Sequence, residues 1–148
     1  MTTKESEAEK MCLICASDYH LEMILLPYIK SRLNSSKFII FTENNLEDSL
    51  KILLTKTNLK DNVKKQIENL NWTNEDKINE LKKEIGEGKD LNIIINGSYN
   101  YIKNINDKIK EFRYEYIKTI DCFHVNDSQV NIEDINQNYK YILNTRKI

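Results

Sequence analysis

The chain reads as an α/β domain of three layers, a mostly parallel sheet of about five strands with helices on both faces. Three observations predict this. Short apolar runs of strand character recur at Cys12 to Ala16, Phe38 to Phe41, Leu91 to Ile95 and Ile117 to Phe123. Stretches of helical periodicity separate them, which is the alternation of βαβ units. The first run is almost continuously apolar, as a strand buried on both faces should be. Sheets of this RecA-like or Rossmann-like kind bind ligands in the crevice beyond the carboxyl ends of their strands.

Each element follows in order. Residues 1–10 are polar and charged and are expected to form a disordered tail, leaving 11–148 as a single domain. Met11 to Ala16 is the first strand. Ser17 and Asp18 can cap the next helix, because their side-chain oxygens accept amides of its first turn. That helix runs to about Asn34, with Leu21, Leu25, Tyr28, Ile29 and Leu33 on one face. Pro27 lies within it and removes a backbone bond, so a kink is expected. Asn34-Ser35-Ser36 is a turn, and Lys37 to Thr42 is the second strand.

Asn45 and Asp48 resemble a capping box, and Leu46, Leu50, Leu53 and Leu54 mark the helix behind it. Val63, Ile67 and Leu70 form one short helical face, and Ile78, Leu81 and Ile85 another. Asn69 to Trp72 between them suits a short edge strand. Thr73 to Asp76 has the form of a second capping box, and Gly86 and Gly88 end the last of these helices. Leu91 to Ile95 is a strand with Asn96-Gly97-Ser98 as its exit turn. Ile102, Ile105, Ile109, Phe112 and Tyr116 line a helical face. Ile117 to Phe123 is the last strand, and Ile132, Ile135, Tyr139 and Ile142 mark a C-terminal helix.

Composition bounds the function. With 22 basic and 23 acidic residues among 148, generic attraction to nucleic acid or to an acidic membrane is not indicated. The most apolar stretch, Leu21 to Ile29, is broken by Glu22 and Pro27 and is too short to span a bilayer. The start has neither the basic nor the apolar part of a signal peptide. Three cysteines, all within strands, suit a reducing compartment, so a cytoplasmic location is expected.

Three glycines, Gly86, Gly88 and Gly97, are all the chain has, and none follows the first strand. A phosphate loop needs glycines there so that backbone amides can close on the anion; Cys15-Ala16-Ser17-Asp18 stands there instead. Cys12 and Cys15 are three apart on a strand and point to opposite faces, so they read as small buried hydrophobes rather than as metal ligands. Cys122 and His124 share a face. If their strand neighbours the first one, His124 and His20 both lie near the crevice, beside Asp18. The remaining strand exits are polar as well. The candidate crevice therefore comprises Ser17, Asp18, His20, Thr42, Glu43, Asn96, Ser98 and His124, with capping as the alternative role for most of them. No metal site and no cofactor is assigned.

The segment from Cys12 to about Leu54 resembles the opening of the MEDS sensory domain of bacterial signalling proteins and of a dichloromethane-responsive repressor. The shared pattern is Leu26-Pro27-Tyr28-Ile29-Lys30, the turn Asn34-Ser35-Ser36, the strand Phe38 to Phe41, and the acidic stretch Glu43 to Asp48. The family's histidine before the first strand is replaced by Glu9-Lys10-Met11, and its later Arg- and Trp-containing segment has no counterpart. In layout only, the chain is also similar to the chi subunit of bacterial DNA polymerase III, a peptide-binding adaptor. The MEDS resemblance implies a RecA-like core without a phosphate loop, used for sensing. The expected function is thus a non-enzymatic ligand-sensing or regulatory domain acting through a partner protein or through self-association. A protein-binding adaptor is the second reading, and a small hydrolase or transferase using His20, Asp18, His124 and Cys122 the third.

Overall fold

A computed structural model describes residues 7–15, 18–33, 37–43, 46–56, 58–139 and 141–143. In chain order the elements are β1 (Glu7–Cys15), α1 (Asp18–Arg32), β2 (Lys37–Thr42), α2 (Leu46–Thr55), α3 (Asp61–Glu68) and β3 (Asn71–Thr73). A 3-10 turn (Glu75–Lys77) leads into α4 (Ile78–Ile85), β4 (Glu87–Asn96) and α5 (Tyr99–Ile109). The chain continues through β5 (Arg113–His124), α6 (Ile132–Asn138) and β6 (Tyr141–Leu143).

All strand pairs are parallel, and the six strands lie in the order β3-β2-β4-β5-β1-β6. The connections obey one rule. From β1 to β2 and on to β3 the chain moves toward the β3 edge, and α1, α2 and α3 cover one face. From β3 onward it moves toward the β6 edge, and α4, α5 and α6 cover the other. A uniform crossover hand demands this, because reversing direction along a sheet without changing its hand means changing face.

Strand alternation feeds two separate cores. Phe38 and Ile40 of β2, Ile94 of β4, Ile120 and Cys122 of β5, and Met11 and Leu13 of β1 pack under Ile24, Leu25, Tyr28 and Ile29 of α1, Leu54 of α2 and Ile67 of α3. The intervening residues Ile39, Phe41, Ile93, Ile95, Phe123 and Cys12 face Ile78, Leu81 and Ile85 of α4, Ile102, Ile105 and Ile109 of α5, and Ile135 of α6. The α/β layering expected from the sequence is therefore the one found. The order is not the 3-2-1-4-5-6 of dinucleotide-binding sheets: β4 and β5 are inserted between β1 and β2.

Several boundaries differ from the sequence reading. β1 starts at Glu7, so residues 7–10, expected in a tail, pair with β5 from Glu7 opposite Tyr116 onward. Polar side chains mask the start of a strand whose pairing is made by its backbone. α5 ends at Ile109, and Tyr116, expected on its apolar face, sits in β5 and is exposed. Ile142, expected in the C-terminal helix, belongs to β6, which pairs with β1 and adds a sixth strand. The cap of the 3-10 turn is Asn74, not Thr73: its side chain accepts from Asp76 N at 3.1 Å. Gly86, at φ 61°, ends α4 as expected, whereas Gly88 lies within β4. The capping residues Ser17 and Asn45 lie outside the described residues.

Pro27 sits inside α1 and is exposed. The carbonyl that loses its helical donor belongs to Met23, also exposed, so water can satisfy it. On the same helix Tyr28 is buried, donates to Asn92 Oδ1 of β4 at 3.4 Å, and carries the Arg32 guanidinium 3.9 Å above its ring. Among the described residues no helix is long and apolar enough to cross a membrane.

Gly88 has a packing reason for being glycine. A Cβ there would lie 2.6 Å from the Tyr114 ring, and that ring is held by a hydrogen bond from its hydroxyl to the Ile85 carbonyl at 3.0 Å. Gly88→Ala is expected to cost about 1–3 kcal/mol through overpacking, read as a lower urea-unfolding midpoint with an unchanged slope. A midpoint equal to that of the parent would mean that the Tyr114 ring moves freely.

Candidate functional site

Adjacent strands whose following helices lie on opposite faces open a crevice at their carboxyl ends. The order places such points between β3 and β2, between β2 and β4, and between β5 and β1. Register brings the expected residues to this end of the sheet: Thr42 pairs with Asn96, Asn96 with Cys122, and Cys15 with His124. β1 and β5 are neighbours, which meets the condition set for the two histidines. Ser17 lies outside the described residues, as do the side chains of Asp18 and His20 at the start of α1.

The described candidates divide into two groups. Glu43 and Ser98 form a clasp across the β2–β4 junction. The Glu43 amide donates to the Asn96 carbonyl at 2.9 Å, and Glu43 Oε1 accepts from the Ser98 amide at 2.8 Å. Ser98 Oγ accepts from the Tyr101 amide at 3.3 Å and caps α5. Asp127, just past β5, accepts from the Tyr99 amide at 3.0 Å and adds to the same cap. These polar groups close the loops over the sheet and orient α5.

Thr42, Asn96 and His124 form the second group. By alternation from Ile40, Ile94 and Cys122 they lie on the α1 face of the sheet. Asn96 is 0% exposed, and among the described residues neither Oδ1 nor Nδ2 has a hydrogen-bond partner. A buried amide left unpaired costs about 1–3 kcal/mol. Thr42 and His124 are half-buried beside it. Cys122, next in the register, is fully buried in the core. Among the described residues no group of three or more His, Cys, Asp or Glu is placed to hold a metal ion.

The other face holds a polar cluster not singled out from the sequence. Asp121 of β5 is fully buried. It accepts from the Tyr139 hydroxyl, and from Asn106 Nδ2 at 3.1 Å to each carboxylate oxygen. Burial raises the Asp121 pKa, against the lowering effect of these two donors and of Lys10. Burial, with the Asp121 charge next, also raises the Tyr139 phenol, and the same two causes push the Cys12 thiol up to about 12. Cys12 is thus a protonated core residue, in keeping with its reading as a small hydrophobe. One signal for this cluster stood in the sequence: Asp121 is the lone acid inside the strand run from Ile117 to Phe123. A cavity of about 340 Å³ lies above it, between β1, β5, α5 and α6, lined in part by Lys10, Tyr99, Phe123 and Tyr139.

Comparison with protein-family models, with curated proteins and with solved structures found no match to the chain.

The Asp121 carboxyl makes a directional prediction. A folded-state pKa raised above the ordinary value of 3.8 contributes stability that is fully present below that pH. The contribution is lost as pH rises through the folded pKa. Asp121→Asn removes the titration. The stability of the variant relative to the parent should therefore shift in the variant's favour from pH 4 to pH 7, measured by urea unfolding at both. An equal difference at the two pH values would show that this carboxyl is not desolvated in the folded state.

Proposed function

We propose that this chain is a non-enzymatic ligand-sensing module that binds a small polar molecule at the carboxyl ends of β2, β4 and β5, on the α1 face, and signals through a partner protein. The observation that carries the reading is the Asn96 amide, fully buried at the strand exits with donor and acceptor both unpaired. Folding alone gives no reason to place it there, since an apolar side chain of the same shape would avoid the desolvation cost. A ligand presenting an acceptor beside a donor matches both amide atoms at once. Thr42 and His124, half-buried on the same face, supply further polar contacts.

The route to an output is the helical layer on that face. α1 begins where β1 ends, packs on α2 and α3, and is tied to β4 through Tyr28 and Asn92. A ligand against Asn96 therefore bears on the layer that carries the exposed apolar side chains Met23 and Ile52, a surface suited to a partner. The resemblance of residues 12–54 to a sensory domain points the same way.

A thermal-shift screen of nucleotides, metal ions and common metabolites tests the proposal. Binding at a concentration 100-fold above Kd stabilises by about 2.7 kcal/mol, a rise in Tm of roughly 5–10 °C for a chain of this size. The expected result is a concentration-dependent rise that disappears in Asn96→Leu and weakens in His124→Ala. A rise that survives Asn96→Leu would move the site elsewhere. A flat screen, together with capture of a protein partner by the unliganded chain, would favour the adaptor reading.

A further inference from the structure

We infer that the cleft between α5 and α6, on the sheet face opposite the strand-exit site, is a second binding site that takes a planar aromatic anion carrying a hydrogen-bond donor. Three independent features specify that chemistry. The first is an aromatic wall. Tyr99 is 37% exposed and leans on Phe123 with ring centroids 6.2 Å apart, and Phe123 meets Tyr139 edge-on at 5.9 Å. A flat ring entering a cavity of about 340 Å³ meets Tyr99, Phe123 and Tyr139 in its lining; this is a usual size for a small-molecule site, and such rings pack on one another in offset or edge-on fashion.

The second feature is charge. Lys10 lines this cavity and an adjoining one of about 190 Å³, which Lys103 also lines. Among the described residues neither ammonium has a carboxylate within ion-pair distance, whereas Lys110, at the same rim, reaches Asp107 at 3.8 Å. Asp134 also lines the larger cavity and Asp107 the smaller, so the cationic excess (Lys10, Lys103 and Lys110 against Asp107) lies in the smaller cavity, and an anionic substituent on the ring is favoured where it points there.

The third feature is an orphan acceptor. Asn106 lines the smaller cavity and gives Nδ2 to Asp121 and to the Ile102 carbonyl at 3.0 Å. Its Oδ1 is buried and has no donor among the described residues. Flipping the amide does not help, because Nδ2 is already held by acceptors. Tyr139 is no source of a proton either, since its hydroxyl is turned to Asp121. Oδ1 has no exposed surface, so an O–H or N–H on the ligand satisfies it only once the Asn106 side chain has turned toward the smaller cavity that it lines.

Isothermal titration of the full chain with 6-hydroxy-2-naphthoate is the direct test. Saturable binding at one site is expected. Tyr99→Ala and Lys10→Ala should each weaken it about five- to tenfold, the scale of one ring contact or one charged contact. Both side chains are exposed, so the fold is retained, and circular dichroism verifies this. 2-Naphthol, which lacks the anion, and 4-hydroxycyclohexanecarboxylate, which lacks the aromatic ring, should both bind more weakly. Asn96→Leu should leave the titration unchanged, which separates this site from the strand-exit site. Absence of saturable heat overturns the assignment, and so does equal affinity of the parent, Tyr99→Ala and Lys10→Ala.

Discussion

One constraint organises this molecule: parallel strands can be joined only by crossovers, and the crossovers keep one hand. The chain reverses its direction of travel once, at β3, and the helical layer changes face at that point. From this single reversal follow the two cores, the assignment of α1, α2 and α3 to one side and of α4, α5 and α6 to the other, and the places where neighbouring strands send their chains apart. Those places lie at the β3–β2, β2–β4 and β5–β1 junctions, and polar residues gather at the last two because loops and helix starts need them. The location of the strand-exit site is thus a consequence of topology before it is a consequence of any side chain.

Within that frame the informative residues are the polar groups buried in the sheet. Asn92, Asn96, Thr119 and Asp121 are all enclosed, yet they differ in how they are satisfied. Asn92 accepts from Tyr28, and Asp121 accepts from Tyr139 and Asn106; these contacts pin α1 to one face and fasten α5 and the end of α6 to the other. Asn96 has no such role, because both of its amide atoms are unpaired. A polar residue that links elements explains itself through the fold. One that links nothing is the observation on which the proposed ligand site rests; Thr119 Oγ1 is likewise buried and unpaired among the described residues.

Much of the architecture was legible because the strands obey simple patterning. Lys37 to Thr42 was bounded to the residue, Ser98 caps α5, and Gly86 ends α4 in the left-handed region. The misses have physical causes. Arg113 to Tyr116 and Glu7 to Lys10 are strand ends whose sequence carries no apolar run although their backbones pair; Tyr114 is the buried side chain of the first stretch. Tyr141 to Leu143 is too short to show a period of two, and Ile142 continues a helical spacing by coincidence. The strand order lies in tertiary pairing alone, and with it the proximity of Thr42, Asn96 and His124. The alternation of residues along a strand puts Cys122 and His124 on one face, but it does not tell that Glu43 and Ser98 are engaged by backbone amides. The cleft above Asp121 was hidden because its walls come from four separate segments.

The most direct test of the account is the unfolding free energy of Asn96→Leu in the absence of ligand. The substitution keeps the branching of the side chain, though Leu is bulkier than the planar amide, and removes two buried polar atoms that are unpaired among the described residues. If Asn96 is held in place for a ligand, the variant is more stable than the parent by about 1–3 kcal/mol. If it is less stable by 1 kcal/mol or more, the amide has a structural partner in the folded chain, and the strand-exit site loses the residue on which it rests.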